Sequence, residues 1–318
     1  MRQAAATLRA DGLLLLTALI WGFAFVAQRS GMQNIGPFAY NGVRFALGAA
    51  TLVPLLVLGK RRAASAPSPV GPSLRWRLGA AGLAGLVLFA GASLQQVGLV
   101  TTTAANAGFI TSLYVILVPL IGICLGRPTG LRIWIGAILA VAGLFILSVG
   151  AGFTMAPGDL LQLVGAFFWA GHILLINRLV GQMEALEIAV GQFATCSLLS
   201  LAVALIREPT PFAGLAPAAI PILYGGLLSI GVAYTLQIVA QKTAHPAHAS
   251  IILSMEALFA AIGGVLFLHE PLTPRLVLGG LLMLAGMILS QLEPRTPPAG
   301  EDHDGLASRL VEAAEPRD

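Results

Sequence analysis

Charge is what this chain has least of. Its 14 acidic and 18 basic residues in 318 leave only 10% charged, where a soluble domain carries about 25%. That shortage excludes a solvated surface over most of the length, and hydrophobic residues at 57% take its place. Cysteine is almost as scarce. Cys124 and Cys196 both fall inside apolar runs, which excludes a disulfide framework and gives no metal site, so neither metal nor cofactor is expected. No GxxxxGK[ST] phosphate loop, no HExxH and no GxSxG elbow occurs; ATP-driven transport and membrane proteolysis lack their machinery, and the chain reads as a non-enzyme. The net charge of +4 sits in loops beside apolar runs, where it sets orientation in a membrane rather than meeting nucleic acid.

What is present is a succession of apolar runs separated by charged or turn-rich breaks. The expected spans are residues 13–28, 37–58, 78–99, 105–125, 131–150, 159–179, 188–206, 220–241, 247–268 and 273–292. Each approaches the roughly 20 residues that cross a bilayer core. Arg2 and Arg9 precede the first run as in a signal peptide, but the spans that follow favour an uncleaved first helix. Of the lysines and arginines, only Arg29, Arg207 and Arg275 fall in outer loops if both termini are inside, with Arg44 within a span. The others all lie on the cytoplasmic side, as the positive-inside rule asks. Small residues four apart, such as Ala81/Gly85, Gly136/Ala140, Ala257/Ala261 and Ala260/Gly264, let helix backbones approach closely in lipid.

The chain also repeats itself. Asp11 leads through an apolar run to Trp21, and Asp159 leads likewise to Trp169, at an offset of 148. Pro128, Arg132, Gly136 and Ala142-Gly143 recur as Pro271, Arg275, Gly279 and Ala285-Gly286, at an offset of 143. With five spans in each half, the second half must enter the bilayer from the opposite side. The expected fold is therefore an all-α membrane protein of ten transmembrane helices, built as two inverted five-helix repeats with both termini cytoplasmic. Its expected divisions are a cytoplasmic tail (1–10), a first repeat (11–150), a second repeat (151–292) and a disordered cytoplasmic tail (293–318). Inverted duplication is a recurring plan of secondary transporters, with the substrate site at the repeat interface.

Ionisable residues inside spans cost about 2.5–3.5 kcal/mol at a helix centre on insertion scales, so each is a functional hypothesis by default. Glu256 in the ninth span shares a face with Ala249, Ala260 and Gly263, which points it toward protein. It reads as a proton carrier or a contact for a cationic substrate group, against the plainer alternative of a protonated carboxyl bonded to a neighbouring backbone. Arg44 lies on a polar stripe with Tyr40, Asn41, Gly48 and Thr51. Its planar fork suits a carboxylate or phosphate, against snorkelling to the interface. His172, three residues after Trp169, can exchange a proton near neutral pH or simply be hydrogen-bonded.

The repeat adds further candidates. Gln95 and Gln237 correspond at an offset of 142, as Trp21 and Trp169 do at 148; such pairs are expected as symmetric cavity walls. The halves differ where Arg44 faces its counterpart Gln192 and Glu256 its counterpart Leu113, which is where selectivity is expected. Asn106, Tyr114 and Tyr234 are further expected liners. His245 and His248 flank Pro246, a spacing that suits a loop or gate rather than a metal.

Several segments together resemble the EamA-type branch of the drug/metabolite transporter superfamily. They are Trp21-Gly22-Phe23-Ala24-Phe25, Arg44-Phe45, Thr103-Ala104-Ala105-Asn106-Ala107-Gly108-Phe109, Ser254-Met255-Glu256 and Leu268-His269-Glu270-Pro271-Leu272-Thr273. The resemblance covers about residues 11–291. One departure is Ala257, where the family usually has the proline that would break the helix after Glu256. The resemblance implies ten helices in two inverted repeats in the inner membrane. It also implies secondary-active movement of a small metabolite, an amino acid or related compound, by alternating access and often as export. The partners expected are a small-molecule substrate, the lipid bilayer and protons as candidate coupling ion. The alternatives are a flippase for a lipid-linked headgroup or, further off, a membrane-embedded enzyme.

Overall fold

A computed structural model describes residues 2–63, 72–102, 104–126, 129–148, 157–267 and 274–291. Every regular element among them is helical. The first half holds α1 (Arg2–Gly31), α2 (Pro37–Ala63), α3 (Leu74–Gly98), α4 (Ala104–Thr111), α5 (Tyr114–Cys124) and α6 (Leu131–Ser148). The second holds α7 (Pro157–Leu179), α8 (Ala185–Arg207), α9 (Ala219–Leu223), α10 (Thr235–Ala240), α11 (Pro246–Leu253), α12 (Glu256–Phe267) and α13 (Pro274–Gln291). A π-helical segment, Tyr224–Tyr234, joins α9 to α10.

Eight helices among the described residues are long and apolar enough to cross a membrane, α4–α5, α9–α10 and α11–α12 each counting as one interrupted rod. Two shorter apolar stretches, Leu131–Gly143 and Val277–Leu289, accompany them within α6 and α13; of the spans expected there, only residues 149–150, 273 and 292 fall outside the described residues. Helix α1 begins at Arg2, because the alanine-rich stretch from Gln3 offers the backbone no reason to leave the helix. Residues 2–10 are therefore helical as well. The expected tail from 293 onward lies outside the described residues. Large apolar side chains such as Leu55, Ile138, Leu198, Leu205 and Ile220 face outward and are exposed, a surface that lipid accommodates and water does not.

Contacts between the halves come in reciprocal pairs. Helices α6 and α13 pack on each other, as do α2 and α8. The contact of α3 with α7 is matched by that of the π segment with α1, α3–α8 by π–α2, and α5–α7 by α12–α1. Exchange of the two halves thus maps these helix pairs onto one another.

The seam between α6 and α13 is built from the repeated motif itself. A Cβ on Gly143 would lie 2.5 Å from the carbonyl oxygen of Gly279, and one on Gly286 2.5 Å from that of Gly136. Only glycine permits this approach, where van der Waals contact replaces the hydrophobic driving force that lipid removes. Similarly, α3 meets α8 where a Cβ on Gly85 would lie 2.7 Å from the carbonyl of Gln192 and one on Gly191 2.6 Å from Ala81 Cβ. Gly143→Leu is expected to destabilise the purified protein by about 1–3 kcal/mol, read as a lowered unfolding midpoint in detergent. Gly82→Leu, where a Cβ meets nothing within 4 Å, is expected to leave the midpoint unchanged; equal effects would remove the seam from the account.

Candidate functional site

Two interrupted rods bring the first functional contact together. Between α4 and α5, and between α11 and α12, the backbone tightens to i→i−3 hydrogen bonds, as in Leu113 N to Ile110 O and Met255 N to Ile252 O. Tight turns of this kind inside helices often mark functional positions. The second interruption forms although Ala257 stands where a proline would usually force it. Tyr114 opens α5 and Glu256 opens α12. The structural counterpart of Glu256 is therefore Tyr114, one residue beyond the Leu113 that the sequence offset indicates. These counterparts touch: Tyr114 Oη donates to Glu256 Oε1 at 2.9 Å, with Ser112 Oγ 3.5 Å from the same oxygen. The glycine after Trp21 lets α1 reach this point, since a Cβ on Gly22 would lie 2.7 Å from the carbonyl of Glu256.

Tyr234, at the end of the π segment, is the hub of an aromatic cluster. Its ring centroid lies 4.6 Å from Trp21, 6.4 Å from Trp169, 6.0 Å from His172 and 5.7 Å from Phe193. Trp21 Nε1 donates to the carbonyl of Ser229 within the π segment at 3.2 Å. Its repeat counterpart Trp169 has a buried Nε1 without a hydrogen-bond partner among the described residues. The two tryptophans thus hold equivalent places with unequal bonding.

Arg44 does not snorkel. It is 3% exposed, its Nε donates to Asn41 Oδ1 at 3.0 Å, and its guanidinium lies 5.3 Å from the Tyr40 ring centroid and 5.1 Å from that of Phe45. No carboxylate lies within 4 Å of it among the described residues. Oε1 of its repeat counterpart Gln192 lies 2.8 Å from His172 Nε2 and accepts from the N–H of that nitrogen. His172 is thus both hydrogen-bonded and part of the cavity wall.

These groups surround one cavity. Trp21, Arg44, Gln95, Tyr114 and Trp169 line it together with His172, Tyr234, Gln237 and Glu256. The side chain of Asn106, also expected there, lies outside the described residues. Sequence reasoning missed Phe25, Gln28, Thr111 and Ser229, which also line the cavity. Gln28 was findable, seven residues or two helical turns after Trp21 and so on the same face. Ser229 was not, because the atom that meets Trp21 is a backbone carbonyl, which carries no sequence signal. Gln95 Nε2 donates to Gln28 Oε1 at 3.0 Å and Gln162 Nε2 to the Gln95 carbonyl at 2.8 Å, while Thr111 Oγ1 donates to Gln162 Oε1 at 3.2 Å. The cavity volume is about 40 Å³, room for about three waters at roughly 10–15 Å³ each. Any larger solute needs the surrounding helices to part.

Two polar contacts sit toward opposite ends of α1. In its amino-terminal third, His248 Nε2 pairs with Asp11 Oδ1 at 2.9 Å. Toward its carboxyl end, Arg29 Nη1 donates to the Thr102 carbonyl at 2.7 Å, and Thr102 Oγ1 donates to Asp159. Among the described residues no group of three or more His, Cys, Asp or Glu side chains could hold a metal ion.

The EamA-like transporter family matches residues 8–149 and again residues 156–292. An uncharacterized transporter of Archaeoglobus fulgidus is 32% identical over 286 residues, covering 90% of this chain and 86% of that protein. The uncharacterized inner membrane transporter YedA of Escherichia coli K12 is 28% identical over 227 residues, covering 69% of this chain and 67% of its own. A crystal structure of a protein 18% identical to this chain superposes with a TM-score of 0.72, covering 96% of this chain and 99% of the other.

The unequal tryptophans make a direct test. Trp21→Phe removes a made hydrogen bond and is expected to cost about 1 kcal/mol beyond the lost area. Trp169→Phe removes an orphaned donor and is expected to cost less. A thermal unfolding series in detergent compares them, and a Trp169→Phe cost equal to or above that of Trp21→Phe would contradict the asymmetry.

Proposed function

The chain belongs to the EamA-like transporter family, and on that premise we propose that it is a secondary-active carrier of small zwitterionic metabolites of the amino-acid type. It is a multi-pass membrane transporter of the inner membrane. In this reading ten spans form two inverted five-helix repeats, both termini face the cytoplasm, and the cavity opens alternately to either side. The observation that carries the reading is that two buried ionisable side chains of opposite type, Arg44 and Glu256, line the same cavity without an ion pair between them. Charging a buried group without a counter-ion is costly, so a ligand of opposite sign favours the charged form of each. A solute with a carboxylate for the Arg44 fork and an ammonium group for Glu256 satisfies both at once.

The inverted arrangement is supported by the repeat counterparts Asp11 and Asp159. They make their contacts toward opposite ends of α1, as a half-turn about an axis in the membrane plane requires. Those contacts are candidate closures for the two mouths of the cavity. Glu256 also supplies a means of coupling. A proton and a substrate ammonium compete for the same carboxylate, so loading one releases the other, which is proton-for-substrate exchange. Export is then the direction in which an inward proton gradient drives the solute.

The test is exchange of an L-amino-acid panel in proteoliposomes with and without a pH gradient. Wild type is expected to exchange at least one member, and Glu256→Gln to lower that rate about tenfold or more and remove its response to the gradient. A wild type that exchanges no amino acid would overturn the substrate reading. An unchanged Glu256→Gln variant would remove Glu256 from the mechanism.

A further inference from the structure

Arg44 is useful to a ligand only if its fork is held toward the cavity, and one side chain holds it. Asn41 is 0% exposed and lies one helical turn before Arg44 on α2. Its Nδ2 donates to the Ala92 carbonyl of α3 at 3.0 Å, while its Oδ1 accepts from Arg44 Nε at 3.0 Å. The first bond fixes the second, because turning the amide over would set its oxygen against a carbonyl oxygen. The Tyr40 and Phe45 rings flank the guanidinium. Gly225 makes room for it, since a Cβ there would lie 3.2 Å from Arg44 Cδ. With Nε committed to Asn41, the two terminal nitrogens have no hydrogen-bond partner among the described residues, and they are the pair that meets a carboxylate side by side.

The halves differ at both positions together. At the offset of 148 that relates Trp21 to Trp169, Asn41 corresponds to Ala189 and Arg44 to Gln192. Where the asparagine is missing, the neighbouring polar side chain turns to His172 instead. The second repeat therefore lacks the whole unit, holder and fork alike.

We infer that Asn41 is the positioning residue of a carboxylate subsite and, being neutral, sets the preference of the cavity for carboxylate-bearing ligands over simple amines. An aspartate in its place would give Arg44 a built-in counter-ion and cancel the charge that a ligand carboxylate requires. This inference rests on the carrier reading but is tested by binding rather than by transport.

The experiment measures ligand-dependent thermal stabilisation of the full-length protein in detergent, for wild type, Asn41→Asp and Asn41→Ala. The probes are short carboxylates (acetate, propionate, benzoate), the L-amino-acid panel, and amines lacking the carboxylate (ethylamine, isoamylamine, phenethylamine). In wild type, carboxylates and at least one amino acid are expected to stabilise. In Asn41→Asp the half-saturating concentration for these ligands is expected to rise about tenfold or more, as loss of a charge-assisted bond implies, while amines bind as well as or better than in wild type. If Asn41→Asp does not yield a folded protein, Asn41→Ala decides: weaker carboxylate binding with unchanged amine binding supports the inference. An unchanged ratio of carboxylate to amine affinity in the folded variant overturns it while leaving the carrier reading intact. A wild type that responds to no carboxylate and no amino acid overturns both.

Discussion

A carboxylate inside a membrane protein has to be answered by the protein, and the contact between Tyr114 and Glu256 organises this one. Three conditions meet there. Two rods must be interrupted at matching depth so that Tyr114 and Glu256 both open a new helical turn. Helix α1 must come close enough to cover the place, which Gly22 permits. The aromatic cluster around Tyr234 must line the same cavity. Each condition is met by a different stretch of chain, yet all converge on a carboxylate that is 4% exposed.

The scaffold is close to symmetric and the chemistry is not. Reciprocal helix contacts and the paired glycines of α6 and α13 define a frame in which each half could be exchanged for the other. Within that frame Glu256 faces Tyr114, Arg44 has Gln192 as its counterpart, and the π segment of the second half corresponds to a regular stretch of α3. In the proposed carrier, a symmetric frame gives two mouths of similar construction, whereas recognition of a solute with unlike ends needs unlike groups. Duplication followed by divergence at a few inward positions satisfies both demands without disturbing the seams.

The contrast between Trp21 and Trp169 shows how backbone geometry completes a site. Both indoles sit on equivalent helices, but only the one beside the π segment finds a carbonyl for its N–H. The glycines of that segment, Gly225, Gly226 and Gly231, allow the wider helical turn and the close approach of α2. Here a local irregularity in one repeat alters the bonding of a residue some two hundred positions away in sequence.

Much of the architecture was legible in the amino-acid order. Apolar runs located the rods, and the rarity of ionisable groups within spans singled out Arg44, His172 and Glu256, because lipid penalises such groups wherever they have no protein partner. Trp21, Gln95 and Gln237 could be proposed as wall residues from repetition alone. The partners could not. That Glu256 meets Tyr114, that Asn41 accepts from Arg44 Nε, and that Ser229 offers its carbonyl to Trp21 all depend on the rotation and depth of each helix. Sequence periodicity reports which face of a helix leaves lipid. The close glycine contacts between helices more than a hundred residues apart decide what that face meets.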